Sequence, residues 1–138
     1  MRDIEKAKEL LSLNDYTCVL CRGDDVKTFT QRGVRPLFEL IRKGESVKGF
    51  SGADKVIGRA TAFLYVLLGI SEVYARVISR PALSVLTEHK ISVEYDTLTD
   101  NIRNRRGDGI CPFEEAVLDI NSAADAYEAI QKKLSETK

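Results

Sequence analysis

No stretch of the 138-residue chain is apolar for long enough to cross a bilayer. Neither sign of charge is in excess: 21 basic and 21 acidic side chains cancel. Non-specific nucleic-acid binding depends on a net positive face, so that balance argues against it as the main role. Histidine occurs once and cysteine three times, and an odd number of thiols fits a disulfide framework poorly. The opening Met1-Arg2-Asp3-Ile4-Glu5-Lys6 is charged and periodic, unlike a signal peptide. Internal repeats and low-complexity segments are absent. The expectation is a cytoplasmic protein with reduced thiols, no membrane association and no bulk nucleic-acid binding. The composition, 43% hydrophobic and 30% charged, is that of an ordinary globular protein. The length fits one domain, 1–138, able to bury roughly two thirds of the surface its unfolded form exposes.

Hydrophobic spacing predicts the elements. Ile4, Ala7, Leu10 and Leu11 share one face of a helix over 3–13, with Asn14 as its stop. Tyr16 to Cys21 and Val26 to Thr30, joined at Gly23-Asp24-Asp25, read as an antiparallel hairpin. Pro36 near its start and Gly44 just past its end punctuate a helix over Val34 to Lys43. A loop over 45–53, with a short extended piece at Val47 to Phe50, leads to a long apolar helix from Asp54 to Leu68. Apolar side chains cover most of that helix, as they do in a helix buried between layers. A strand at Glu72 to Ile78, a helix from Ser79-Arg80-Pro81 to His89 and a strand at Ile91 to Tyr95 follow. After a polar loop over 96–110, a helix opens at Cys111-Pro112 and runs to Asp119. Asn121-Ser122 then caps a last helix ending at Glu136. Alternation of helix and strand after the hairpin predicts a three-layer α/β/α fold on a mixed, largely parallel sheet. Ligands of such sheets sit beyond the carboxyl ends of the strands, among helix N-termini.

Ser51-Gly52-Ala53-Asp54-Lys55 is the stretch with most chemistry, because it places an acid and a base beside small residues at the mouth of the long helix. Asp54 has two compatible readings, as the helix N-cap and as a group that positions a ligand or transfers protons. Lys55 would oppose the helix dipole; it either points into solvent or, beside free backbone N–H groups, binds an anion or acts as an amine nucleophile or base. Gly52 and Ala53 give a ligand room to approach the backbone, and Arg59, one turn on, would share the face of Lys55. Cys111 is either a structural N-cap or a thiol activated at a helix N-terminus. Glu114, three residues later, suits a capping role and is counted with the ligand-binding residues. The basic loop with Arg103, Asn104 and Arg105 is either a solvated turn or a clamp for phosphate or carboxylate. Cys18 and Cys21, three apart on a strand, face opposite sides and cannot share a metal. His89, at a helix end, complements the dipole.

Three strings, Ser51-Gly52-Ala53-Asp54-Lys55-Val56-Ile57-Gly58, Ile102-Arg103-Asn104-Arg105 and Cys111-Pro112-Phe113-Glu114-Glu115, resemble an uncharacterised bacterial domain-of-unknown-function family. That family carries a cytidine deaminase-like fold without the deaminase zinc motifs, and the resemblance covers about residues 5–120. Zinc deaminases need His-x-Glu where this chain has Ala53-Asp54-Lys55, and Pro-Cys-x-x-Cys where it has Pro81-Ala82-Leu83-Ser84-Val85. The resemblance therefore implies a deaminase-like pocket with no metal and no cofactor. The expected function is zinc-independent binding of a small anionic or nucleotide-like ligand, with Asp54, Lys55 and Cys111 as catalytic groups if the chain is an enzyme. The alternatives are a non-catalytic ligand sensor or interaction module and, more distantly, a zinc deaminase using Cys18, Cys21, Cys111 and His89. An apolar face on the last helix or the hairpin edge would allow a homo-oligomer.

Overall fold

In the computed structural model, which describes residues 2–103, 107 and 109–136, the elements follow the order α1 (Asp3–Leu13), β1 (Cys18–Arg22), β2 (Asp25–Phe29), α2 (Arg35–Lys43), β3 (Ser51–Ile57), α3 (Arg59–Leu68), β4 (Glu72–Ser79), α4 (Arg80–Glu88), β5 (Ser92–Thr99), α5 (Pro112–Ala116) and α6 (Ala123–Glu136). The five strands form one mixed sheet in the order β2-β1-β3-β4-β5. β1 is antiparallel to both β2 and β3, whereas β3, β4 and β5 are parallel. The hairpin thus flanks the parallel strands, as the element pattern predicts.

One prediction fails at an informative place. The stretch expected to end a loop and open a helix, Ser51 to Ile57, is instead β3, at the centre of the sheet between β1 and β4. A strand buried on both faces shows no alternation, so its apolar run is indistinguishable by period from a buried helix. Gly58 separates it from α3, which starts at Arg59. Asp54 is therefore not a helix N-cap, Lys55 does not oppose a helix dipole, and Arg59 does not follow Lys55 by one helical turn. Two further boundaries move: β5 extends to Thr99, into the segment expected to be loop, and α5 ends at Ala116, short of Asp119. Val47 to Phe50 forms no strand.

Other local signals hold. Ser79 Oγ accepts a hydrogen bond from the Ala82 N–H at 3.2 Å and caps α4, with Pro81 in its first turn. Ser122 Oγ accepts from the Asp125 N–H at 3.2 Å at the start of α6. Gly44 closes α2 in the left-handed conformation, φ 71°, where a side chain would be strained.

Alternating side chains of β1 enter two apolar clusters. Cys18 and Leu20 join Ile57, Phe63, Leu64, Ile78 and Leu86, from β3, α3, β4 and α4. Val19 and Cys21 join Ile4, Ala7 and Leu11 of α1, with Ala53 of β3. The Cys-x-x-Cys pair is thereby split between opposite sides of the sheet. Leu20, Leu64 and Ile78 are fully buried, and burial of each contributes about 1.5–3 kcal/mol. α3 is buried along most of its length, from Ala60 to Tyr65 and again at Leu68, so its amino-terminal turn has little freedom to move. No helix among the described residues is long and apolar enough to cross a membrane.

Candidate functional site

The antiparallel register of β1 and β3 brings Cys18 opposite Asp54, so the carboxyl end of β3 lies beside the start of β1. The Lys55 N–H donates to the Thr17 carbonyl at 3.1 Å. β2 ends alongside, with Phe29 opposite Cys18. A cavity of about 440 Å³ opens at this end of the sheet. Its walls come from β3 and the first turn of α3 (Asp54, Lys55, Val56, Gly58, Ala60, Thr61), from the approaches to β1 and α2 (Asp15, Thr17, Thr30, Arg32, Gly33, Val34) and from the late segment (Ile102, Cys111, Phe113, Glu114).

Asp54 is 7% exposed. Tyr65, fully buried in α3, donates its hydroxyl to Asp54 Oδ2 at 2.8 Å, and Cys18 Sγ lies 3.5 Å from the same hydroxyl. Loss of hydration dominates the carboxyl group and pushes its pKa up to about 7, against the hydrogen bond from Tyr65 and the N–H groups of Val56 and Lys55. Burial likewise raises the Cys18 thiol and the Tyr65 phenol well above their ordinary values, and the neighbouring Asp54 charge adds to both shifts. Near neutrality Asp54 is thus divided between acid and base forms, the condition a proton-transfer group needs. Its neighbours Cys18 and Tyr65 stay protonated and serve as donors.

Glu114 is a further carboxylate of the cavity, which Asp54 and Asp15 also line. It does not cap its own helix. Its Oε1 accepts from the Arg59 N–H at 2.6 Å and its Oε2 from the Ala60 N–H at 2.8 Å, so a residue of α5 caps α3. A Cβ on Gly58 would lie 2.5 Å from that carboxylate, which is why glycine stands there. Burial raises the Glu114 pKa, although the two amides and the Arg59 guanidinium pull it down. The N-cap of α5, Cys111, makes no side-chain capping bond; its thiol is half-buried and lines the cavity.

The structure thus gathers Asp54, Lys55, Cys111 and Glu114 around one space. Arg59 is turned to another task. Its guanidinium donates to the Val117 carbonyl at 3.3 Å, to the Ile120 carbonyl and to Asn121 Oδ1 at 3.3 Å, and lies over the Phe63 ring. Gly52 and Ala53 do not line the cavity. A Cβ on Gly52 would meet Tyr65 at 2.9 Å, so its absence serves packing of α3 on β3, and Ala53 faces the α1 side of the sheet. Arg103 pairs with Ile110 in a short bridge and does not itself line the cavity; Asn104 and Arg105 lie outside the described residues. His89 ends α4, its Nδ1 2.8 Å from the Val85 carbonyl. No group of three or more His, Cys, Asp or Glu among the described residues is placed to hold a metal ion.

Sequence reasoning missed Tyr65, Thr61, Thr17, Thr30 and Arg32. Tyr65 had a signal: a phenol in an otherwise apolar helix must find a buried partner. Thr61 had a similar one, whereas the convergence of Thr17, Thr30 and Arg32 follows from strand order alone.

Fold and site define an α/β protein with a mixed five-stranded sheet and an acid-bearing cavity at the carboxyl end of its central strand. The family model for TM1506, described as a domain of unknown function (DUF1893), matches residues 6–134, and the chain belongs to that family. The crystal structure of a DUF1893 family protein (TM1506) from Thermotoga maritima is similar in fold, with a TM-score of 0.87 at 24% identity over 95% of this chain and 89% of that one. Comparison with curated proteins gives no match.

Proposed function

We propose that this chain is a single three-layer α/β/α domain of cytidine deaminase-like fold that binds a nucleotide-like or other phosphate-bearing small molecule in the cavity, without zinc. One observation carries the reading: a buried carboxyl group poised near neutrality, Asp54, lines the same cavity as Lys55 and the first turn of a buried helix. Among the described residues Lys55 and Arg32 form no ion pair, so both cations are free for an anionic ligand. In this reading Lys55 holds the anion, Asp54 moves a proton to or from the ligand, and Cys111 borders the site. The burial of Asp54 behind Tyr65 supports a second reading, a sensor that binds the same ligand and leaves it unchanged.

The test is native and denaturing mass spectrometry of the full chain purified without added metal. The proposal expects one retained phosphate-bearing molecule and no stoichiometric zinc, with the ligand lost from folded Lys55→Ala and Asp54→Asn variants. Retention in both variants would remove the site assignment, and one zinc per chain would remove the zinc-independent reading. Chemical change of the ligand on incubation, abolished in Asp54→Asn, separates enzyme from sensor.

A further inference from the structure

The first turn of α3 holds an anion already, supplied by the protein. Glu114 reaches it from an element more than fifty residues away and occupies the Arg59 and Ala60 amides. Its planar carboxylate satisfies two donors. A third position is left over: Thr61 is 5% exposed and lines the cavity, and neither its hydroxyl nor its N–H has a hydrogen-bond partner among the described residues. α3 is ten residues long and buried, so its N-terminus carries a fixed positive end. Gly58 leaves room in front of the turn that the Glu114 carboxylate now fills, and Lys55 and Arg32, on two different walls of the cavity, have no ion-pair partners among the described residues. A buried hydroxyl and amide left beside two occupied amides fit a group with more acceptor oxygens than a carboxylate has.

We propose that the first turn of α3 is a tetrahedral-oxyanion site which Glu114 occupies in place of a ligand phosphate, and that the phosphate of the bound ligand displaces the Glu114 side chain to gain the Arg59, Ala60 and Thr61 donors. The inference rests on the cavity reading above and adds where the phosphate goes and what leaves. Glu114 is well suited to be displaced, because the donors around it do not offset the cost of its burial. Its release would also free α5 from the start of α3, so ligand binding and the position of the late segment are coupled.

The test is an amide NMR titration of the full chain with inorganic phosphate at constant ionic strength. Phosphate should shift the Arg59, Ala60 and Thr61 amides of the unmodified chain and move the side-chain carboxyl ¹³C signal of Glu114. Glu114→Gln, which keeps the shape and removes the competing charge, should bind phosphate at least tenfold more tightly. Thr61→Val in that background should lose about fivefold. Equal phosphate affinity in the unmodified chain and Glu114→Gln would overturn the proposal, as would shifts that centre on Lys55 and spare residues 59–61. The latter result would leave the cavity reading standing. Should Glu114→Gln not fold, the Glu114 carboxyl signal of the unmodified chain decides: unmoved at saturating phosphate, it overturns the displacement.

Discussion

The Tyr65 hydroxyl donates to Asp54 Oδ2 at 2.8 Å, tying the middle of the buried helix α3 to the central strand β3 beneath the cavity floor. The bond stabilises the ionised carboxylate and so opposes the desolvation that raises its pKa. Tyr65→Phe removes the donor and keeps the ring. The Asp54 pKa should then rise further above about 7, read from the pH dependence of its carboxyl ¹³C shift. A fall would mean that the hydrogen bond favours the protonated form.

The same carboxyl group makes stability depend on pH. Its folded pKa, about 7, lies above its value of 3.8 in the unfolded chain, so the folded state binds the proton more tightly. The stabilising contribution is complete below the unfolded value and is lost as pH rises through the folded one. A shift of that size is worth on the order of 4 kcal/mol. Asp54→Asn keeps an acceptor for Tyr65 and cannot ionise. Urea unfolding at pH 5 and pH 8 should show the unmodified chain losing stability between them and Asp54→Asn losing less. Glu114, also raised by burial, contributes in the same direction and accounts for a remaining slope.

Gly58 and Glu114 form the second structural pair. Gly58→Ala would push a methyl group into the carboxylate, and Glu114→Ala would remove the cap from the Arg59 and Ala60 amides. Each should cost about 1–2 kcal/mol, the usual value of a helix cap. The double variant should cost little more than Glu114→Ala alone, since both act on one interaction. Additive losses in thermal or urea unfolding would separate them.

Thiol labelling checks the burial pattern. Cys18 and Cys21 are buried and Cys111 is half-buried. An aromatic disulfide reagent should react with one thiol per folded chain, at Cys111, and with three after denaturation. Fast reaction at Cys18 would contradict its place beneath Tyr65.

Much of the fold was legible in the sequence. The hairpin, the proline and serine starts of α4 and the glycine end of α2 are local signals, and local chemistry decides them. The central strand was not legible, because Ser51 to Ile57 owes its conformation to pairing with β1 and β4. The sequence pattern puts Asp54 and Lys55 at a helix mouth, a position they do not hold. They reach the cavity as the carboxyl end of a strand, and the helix mouth is at Gly58 and Arg59. Spacing assigns Glu114 to the cap of its own helix, since sequence cannot reveal that the amides it meets belong to α3. Arg59 illustrates the reverse: its charge suggested a ligand contact, while three protein oxygens consume it.

The proposed binding of a phosphate-bearing ligand in the cavity, through Lys55 and without zinc, can be tested directly. The most direct measurement is isothermal titration of the chelator-treated chain with a nucleoside monophosphate. The expected result is one site per chain, weakened at least tenfold in folded Lys55→Ala and unchanged by added zinc. Equal affinity in Lys55→Ala, no binding at all, or binding that appears only with zinc would contradict it.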